Sequence, residues 1–179
     1  MSLQHGRRWQ HFPGLNQSTT MGQVRTPNLL LNVNSTGYND SSQPHRQRIW
    51  VNGTSVLDSG TPRSYRITKL RKTNGSWSYV GTAGYDVYGS TTHAAAMRDD
   101  LLTWQQGEML VLSTQDEPNN NRSYFMDILR DDFNSQIHSF PRESRDSHTL
   151  IAVKGVGRIY EDHKPRYSSI GCIYSGYLL

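Results

Sequence analysis

From Asn28 onward the chain falls into short apolar or alternating runs separated by turn residues, the pattern of a β-rich fold. Runs at 29–34, 47–51, 65–72, 77–81, 108–114, 149–153 and 170–177 predict strands. Thr73-Asn74-Gly75-Ser76 predicts a hairpin between two of them. Within 65–72, alternation places Arg66, Thr68, Leu70 and Lys72 on one face and Lys69 with Arg71 on the other, read as a solvated strand in preference to a phosphate track. Two segments change period. Ser90-Thr91-Thr92 offers a hydroxyl cap, and apolar positions at 94, 97, 101 and 104 give a helical stripe over the following 93–104. A second helix is expected over 121–133, capped by Asn120 or Asn121, with Phe125, Ile128, Leu129 and Phe133 sharing a face. The expected fold is α+β, mainly β: strands, then helix, strand, helix, strand, with no solenoid-length repeat.

Residues 1–26 show no sustained periodicity, yet this stretch and its edge hold Trp9, Phe12, Pro13, Leu15, Met21 and Val24, anchors that a free tail does not need. The expectation is an extended N-terminal arm ahead of a domain over 27–179. The arm packs on that domain or, preferably, on a neighbouring subunit, and Arg7, Arg8, Trp9 and Phe12 carry the assembly contacts.

At 179 residues the chain suits one domain with an arm, and 34% hydrophobic content implies a lean core under a polar surface. Its formal net charge of +4 comes from scattered basic residues, so no nucleic-acid partner is expected. No run approaches the ~18 apolar residues of a membrane span, and the N-terminus lacks the apolar stretch of a secretory signal. Cys172 is the single cysteine, so the fold does not depend on an internal disulfide. These features predict a chain made and folded in a cytoplasm, without membrane insertion.

Candidate chemistry is thin. The seven histidines are dispersed and show no zinc-ligand spacing, so no metal is expected. Arg145-Asp146-Ser147-His148 contains the residue types of a catalytic triad, but neighbours in extended chain face opposite ways. Val153-Lys154-Gly155-Val156-Gly157 lacks the third glycine and following helix of a dinucleotide loop and the Lys-Ser/Thr of a Walker loop; its glycines read as turn formers. Asp116-Glu117 offers a carboxylate pair or calcium ligands, with capping of the second helix as the preferred role. Trp50, Trp77, Trp104 and the ten tyrosines suit core, interface or sugar stacking.

Several of these motifs occur in a telling order: Arg48-Ile49-Trp50-Val51-Asn52-Gly53, Tyr65-Arg66-Ile67-Thr68-Lys69-Leu70, Tyr85-Asp86-Val87-Tyr88-Gly89, Gly107-Glu108-Met109-Leu110-Val111-Leu112, Asp116-Glu117, Arg145-Asp146-Ser147, Val153-Lys154-Gly155 and Gly171-Cys172-Ile173. Over about 45–173 the set resembles the interleukin-like EMT inducer, or PANDER-like, domain. The resemblance implies two antiparallel sheets flanked by short helices, no catalytic centre and no cofactor. It marks Asp86, Gly89, Asp116, Arg145, Asp146, Lys154 and Gly155 as recurrent positions, expected to form turns and buried charge-assisted hydrogen bonds. Domains of this family serve as signalling or binding modules in animals, one binds carbohydrate in a glycosyltransferase stem, and others occur in phage tail-associated proteins. Secreted members rely on disulfides, whereas Cys172 stands alone. The implied role is therefore a non-enzymatic component of a tailed-phage virion (tail, baseplate, collar or fibre adaptor), assembled in the host cytoplasm and docking other virion proteins. Recognition of a host-surface glycan is the alternative.

Overall fold

The computed structural model describes residues 29–37, 46–59, 63–141, 145–168 and 170–178. The expected arm, with Arg7, Arg8, Trp9 and Phe12, lies outside them. Nine strands and two α-helices are present among the described residues: β1 (Leu29–Gly37), β2 (Gln47–Val51), β3 (Thr54–Ser59), β4 (Ser64–Thr73), β5 (Ser76–Tyr85), α1 (Thr91–Leu102), β6 (Met109–Asp116), α2 (Met126–Phe133), β7 (Ser147–Val153), β8 (Gly157–Lys164) and β9 (Cys172–Leu178). The fold is α+β and mainly β, as the pattern of runs predicts.

The strands form two antiparallel layers. One runs β3-β2-β1-β9, the other β5-β4-β6-β7-β8. The layers join where the end of β1 pairs in parallel with the end of β6, Thr36 opposite Gln115 and Gly37 opposite Asp116. Between the layers, Leu29, Leu31, Val33, Ile49 and Val51 meet Leu70, Met109, Val111, Ile151 and Val153. The alternate residues of the five-stranded sheet, Tyr65, Ile67, Leu110, Leu112, Leu150 and Ala152, turn the other way onto both helices. Strands β6 and β7 are thus covered on both faces, which is why they read as continuous apolar runs and not as alternating ones.

Local chemistry sets the corners. Asn52-Gly53 and Asn74-Gly75 each take two successive positive φ values, the turn that matches strand twist in a two-residue hairpin. Ser90 caps α1, its hydroxyl accepting from the His93 amide at 3.1 Å, and Ala94, Met97, Leu101 and Trp104 are buried as the stripe predicts. Helix α2 departs from expectation. The segment opens with a short 3-10 turn over Arg122–Tyr124, α2 has no side-chain cap, and Asn120 and Asn121 instead donate to the Tyr88 and Val87 carbonyls at 2.8 and 2.7 Å. The segment 65–72 is not a solvated strand. It lies between β5 and β6 with Tyr65, Ile67, Thr68 and Leu70 buried, and Lys69 and Arg71 pair with the buried Glu108.

Candidate functional site

The carboxyl end of β6, the start of β4, the turn after β5 and the loop before β7 converge at one end of the five-stranded sheet. They enclose a cavity of ≈ 200 Å³ lined by Arg63, Tyr88, Asp116, Glu117 and Arg145. Its walls have an unusual backbone. Arg63, Asp116 and Arg145 adopt φ values of 55°, 65° and 69°, a region that costs an ordinary L-residue about 1–2 kcal/mol. Asparagine and aspartate tolerate this region, so the cost falls on Arg63 and Arg145 more than on Asp116; apart from the asparagines, Tyr167 alone shares the conformation among the described non-glycine residues. Strained backbone gathered at one cavity is characteristic of sites where side-chain direction matters more than local stability.

Each wall is held from behind. Tyr88 sits in a turn closed by the Gly89 amide donating to Asp86 Oδ1 at 3.0 Å, and a Cβ on Gly89 would meet that carboxylate at 2.9 Å. Asn120 fixes the Tyr88 carbonyl, and the Arg63 guanidinium lies 5.1 Å over the Tyr88 ring. Beneath the site, Gly37 approaches so closely that a Cβ there would lie 2.2 Å from the Arg145 carbonyl oxygen. A buried polar layer continues inward from this join. Ser35 Oγ meets Thr149 Oγ1 at 2.6 Å and accepts from the Thr114 amide, while Gln47 donates to the Ser113 carbonyl.

The two carboxylates differ from free ones. Asp116 and Glu117 are only 9% and 4% exposed. Burial pushes the Glu117 carboxyl above its ordinary value; the Asn119 and Arg145 amides oppose this, and the negative charges of Asp146 and Asp116 add to it. Behind them Asp146 accepts from His163 Nε2 at 2.9 Å and Asn119 Nδ2 at 3.1 Å, and Asn119 in turn accepts from Arg122 at 2.9 Å. Phe140 stacks on His163 and sets an edge against His148. His148 bonds Glu161 at 2.9 Å, and burial lowers its basicity further than Glu161 raises it. Burial would raise the Glu161 carboxyl, but bonds from His148, the Gln136 amide and Ser135 hold it at about 2. Burial also pushes the Cys172 thiol up to about 12, so this cysteine packs as a small apolar side chain.

The structure therefore divides the recurrent positions. Asp116 and Arg145 line the cavity, Asp86 and Gly89 build the turn that presents Tyr88, and Asp146 braces the site from inside. Lys154 and Gly155 lie at the opposite end of the sheet, where Lys154 pairs with Asp132 at 3.0 Å and Gly155 turns with φ 77°. The preferred capping role for Asp116-Glu117 is corrected: α2 has no side-chain cap, and both residues face the cavity. Ser147 and His148 face other partners, Cys172 and Glu161. Arg63 escapes sequence reasoning, because a lone arginine before a strand carries no motif. Among the described residues no group of three or more His, Cys, Asp and Glu is placed to hold a metal ion, and no helix is long and apolar enough to cross a membrane.

Set against known proteins, the chain matches no family model and no curated sequence.

Proposed function

We propose that this chain is a non-enzymatic recognition module of a tailed-phage virion, and that its end cavity holds one sugar unit of a host-surface glycan. The observation that carries this reading is the convergence of Arg63 and Arg145, both with strained backbone, on Asp116, Glu117 and Tyr88 around ≈ 200 Å³. Sugar hydroxyls both donate and accept. The planar guanidinium donors and the carboxylate acceptors answer both capacities. The volume lies below the ~300–1,000 Å³ of pockets for drug-sized ligands, which favours one small polar unit. The virion setting is supported by the ordered motifs over 45–173 and by a fold that needs no disulfide.

An array of glycans and intact bacterial surface polysaccharides, probed with the full-length protein, tests this. Saturable hits should weaken by roughly tenfold or more in Arg145→Ala and Asp116→Asn, a loss of about 1.4 kcal/mol or more. A silent array, or hits indifferent to both substitutions, overturns the glycan reading. Docking to other virion proteins, the second reading, is favoured by the exposed apolar side chains Val156, Ile159, Ile173 and Tyr177.

A further inference from the structure

The other end of the five-stranded sheet carries a larger feature. A cleft of ≈ 760 Å³ opens between the β4–β5 hairpin, the loop before β6 and the β7–β8 turn. Trp77, Met109 and Val153 supply buried apolar walls, while Val156 and Ile159 remain 80% and 46% exposed at its rim. Exposed aliphatic side chains beside an apolar cleft leave surface that a partner would cover.

The charges around the cleft are unbalanced. Arg71 and Lys72 line the cleft against the single carboxylate of Glu108, which Lys69 also approaches from outside the lining at 3.6 Å. Burial raises that carboxyl, but bonds from the Gln105 amide and Arg71, with the charges of Lys69 and Arg71, hold it below its ordinary value, so its negative charge is already engaged. Lys72 is exposed, lies 5.5 Å over the Trp77 ring and has no carboxylate partner among the described residues. The rim thus keeps a positive excess.

The cleft adjoins an open sheet edge. Among the described residues β5 pairs with β4 alone, and its ten residues include no charge and no proline. Natural edge strands are usually blunted by such residues. Among the described residues the one such device is a bulge: Lys69 faces Gly81 and Leu70 faces Tyr79, which leaves Val80 without a cross-strand partner. The regular stretch Ser76 to Tyr79 lies on the cleft side of that bulge, and Tyr79 is 43% exposed.

We propose that the β5 edge and this cleft together bind an extended acidic segment of a partner protein. Its main chain adds a strand along Ser76 to Tyr79, a bulky apolar side chain enters the cleft against Trp77, Val156 and Ile159, and a neighbouring carboxylate meets Lys72 and Arg71. This deepens the docking reading and is independent of sugar binding at the opposite end.

The test is selection from a displayed library of random octapeptides, using the full-length protein and a Lys72→Glu/Tyr79→Lys variant in parallel. The proposal expects enrichment of peptides with a large apolar residue beside Asp or Glu, binding the variant roughly tenfold or more weakly. In nitrogen-15 spectra such a peptide should shift the Trp77 indole resonance, assigned with Trp77→Phe, together with the amides of 76–79. Matched melting of wild type and variant shows that the fold is intact. Selected peptides that bind both proteins equally overturn this site and leave docking elsewhere standing. No selection at all counts against both. A concentration-dependent dimer that shields the β5 amides overturns the proposal in favour of a second copy of this chain.

Discussion

At the scale of single residues, the site depends on backbone conformation as much as on side-chain identity. Arg63 at φ 55° separates the two contributions. Both Arg63→Gly and Arg63→Ala remove the guanidinium, but only glycine relieves the left-handed cost. We expect the glycine variant to be more stable than the alanine variant by about 1 kcal/mol in urea denaturation, with glycan binding weakened equally in both. Equal stability would mean that no strain is held there. Gly37 provides the converse case. Because its Cβ would lie 2.2 Å from the Arg145 carbonyl oxygen, Gly37→Ala should force the Arg145 loop aside, cost about 1–3 kcal/mol and abolish glycan binding without altering any cavity side chain. Full affinity in that variant would show that the loop position is immaterial. Neither effect is legible in the sequence. Asn52-Gly53 and Asn74-Gly75 announce their turns by composition, whereas an arginine or aspartate with positive φ announces nothing.

At the scale of elements, sequence pattern was legible wherever one periodicity dominated. The 94-97-101-104 stripe of α1, the Asn74-Gly75 hairpin and the apolar runs of β6 and β7 all follow it. It faded in β3 and β8, where half-buried residues replace a clean alternation: Val56 and Leu57 only lean on the core, and β8 mixes Tyr160 with Glu161, Asp162 and His163. Yet β8 carries the charge that ties it to the segment just after α2 and to β7. Glu161 receives bonds from Ser135, the Gln136 amide, His148 and Arg158. Its folded carboxyl sits at about 2, below the ordinary 4.5, so its stabilisation is whole above pH 4.5 and is lost as the pH falls toward 2. His148, held by burial below its ordinary 6.5, acts in the same direction: the unfolded chain takes up that proton more readily, so stability begins to fall below pH 6.5. Glu161→Gln should therefore cost about 2–3 kcal/mol at neutral pH, by leaving buried donors poorly matched, and should flatten the stability profile below pH 4.5. Urea denaturation at a series of pH values checks both. An unchanged acid slope would place the acid sensitivity elsewhere.

At the scale of the whole molecule, the five-stranded sheet separates two features along β6. Asp116 marks the cavity end and Met109 the cleft end, some ~23 Å apart at ~3.3 Å per residue. The expected two-sheet architecture holds, with both helices on the five-stranded sheet. The recurrent motif positions point to both ends of the sheet, so their order along the chain does not disclose which of them meet in space. With the proposed sugar site at one end and the proposed partner site at the other, the molecule would suit an attachment apparatus, which must join a particle to a surface. The central claim is the location of sugar binding. Nitrogen-15 correlation spectra of the full-length protein, titrated with a soluble oligosaccharide from the array proposed above, test it most directly. The account predicts saturable shifts at Arg63, Tyr88, Asp116 and Arg145, with the amides around Trp77 and Val156 unmoved. Shifts confined to the Trp77 end, or spread without a focus at the cavity, would contradict it.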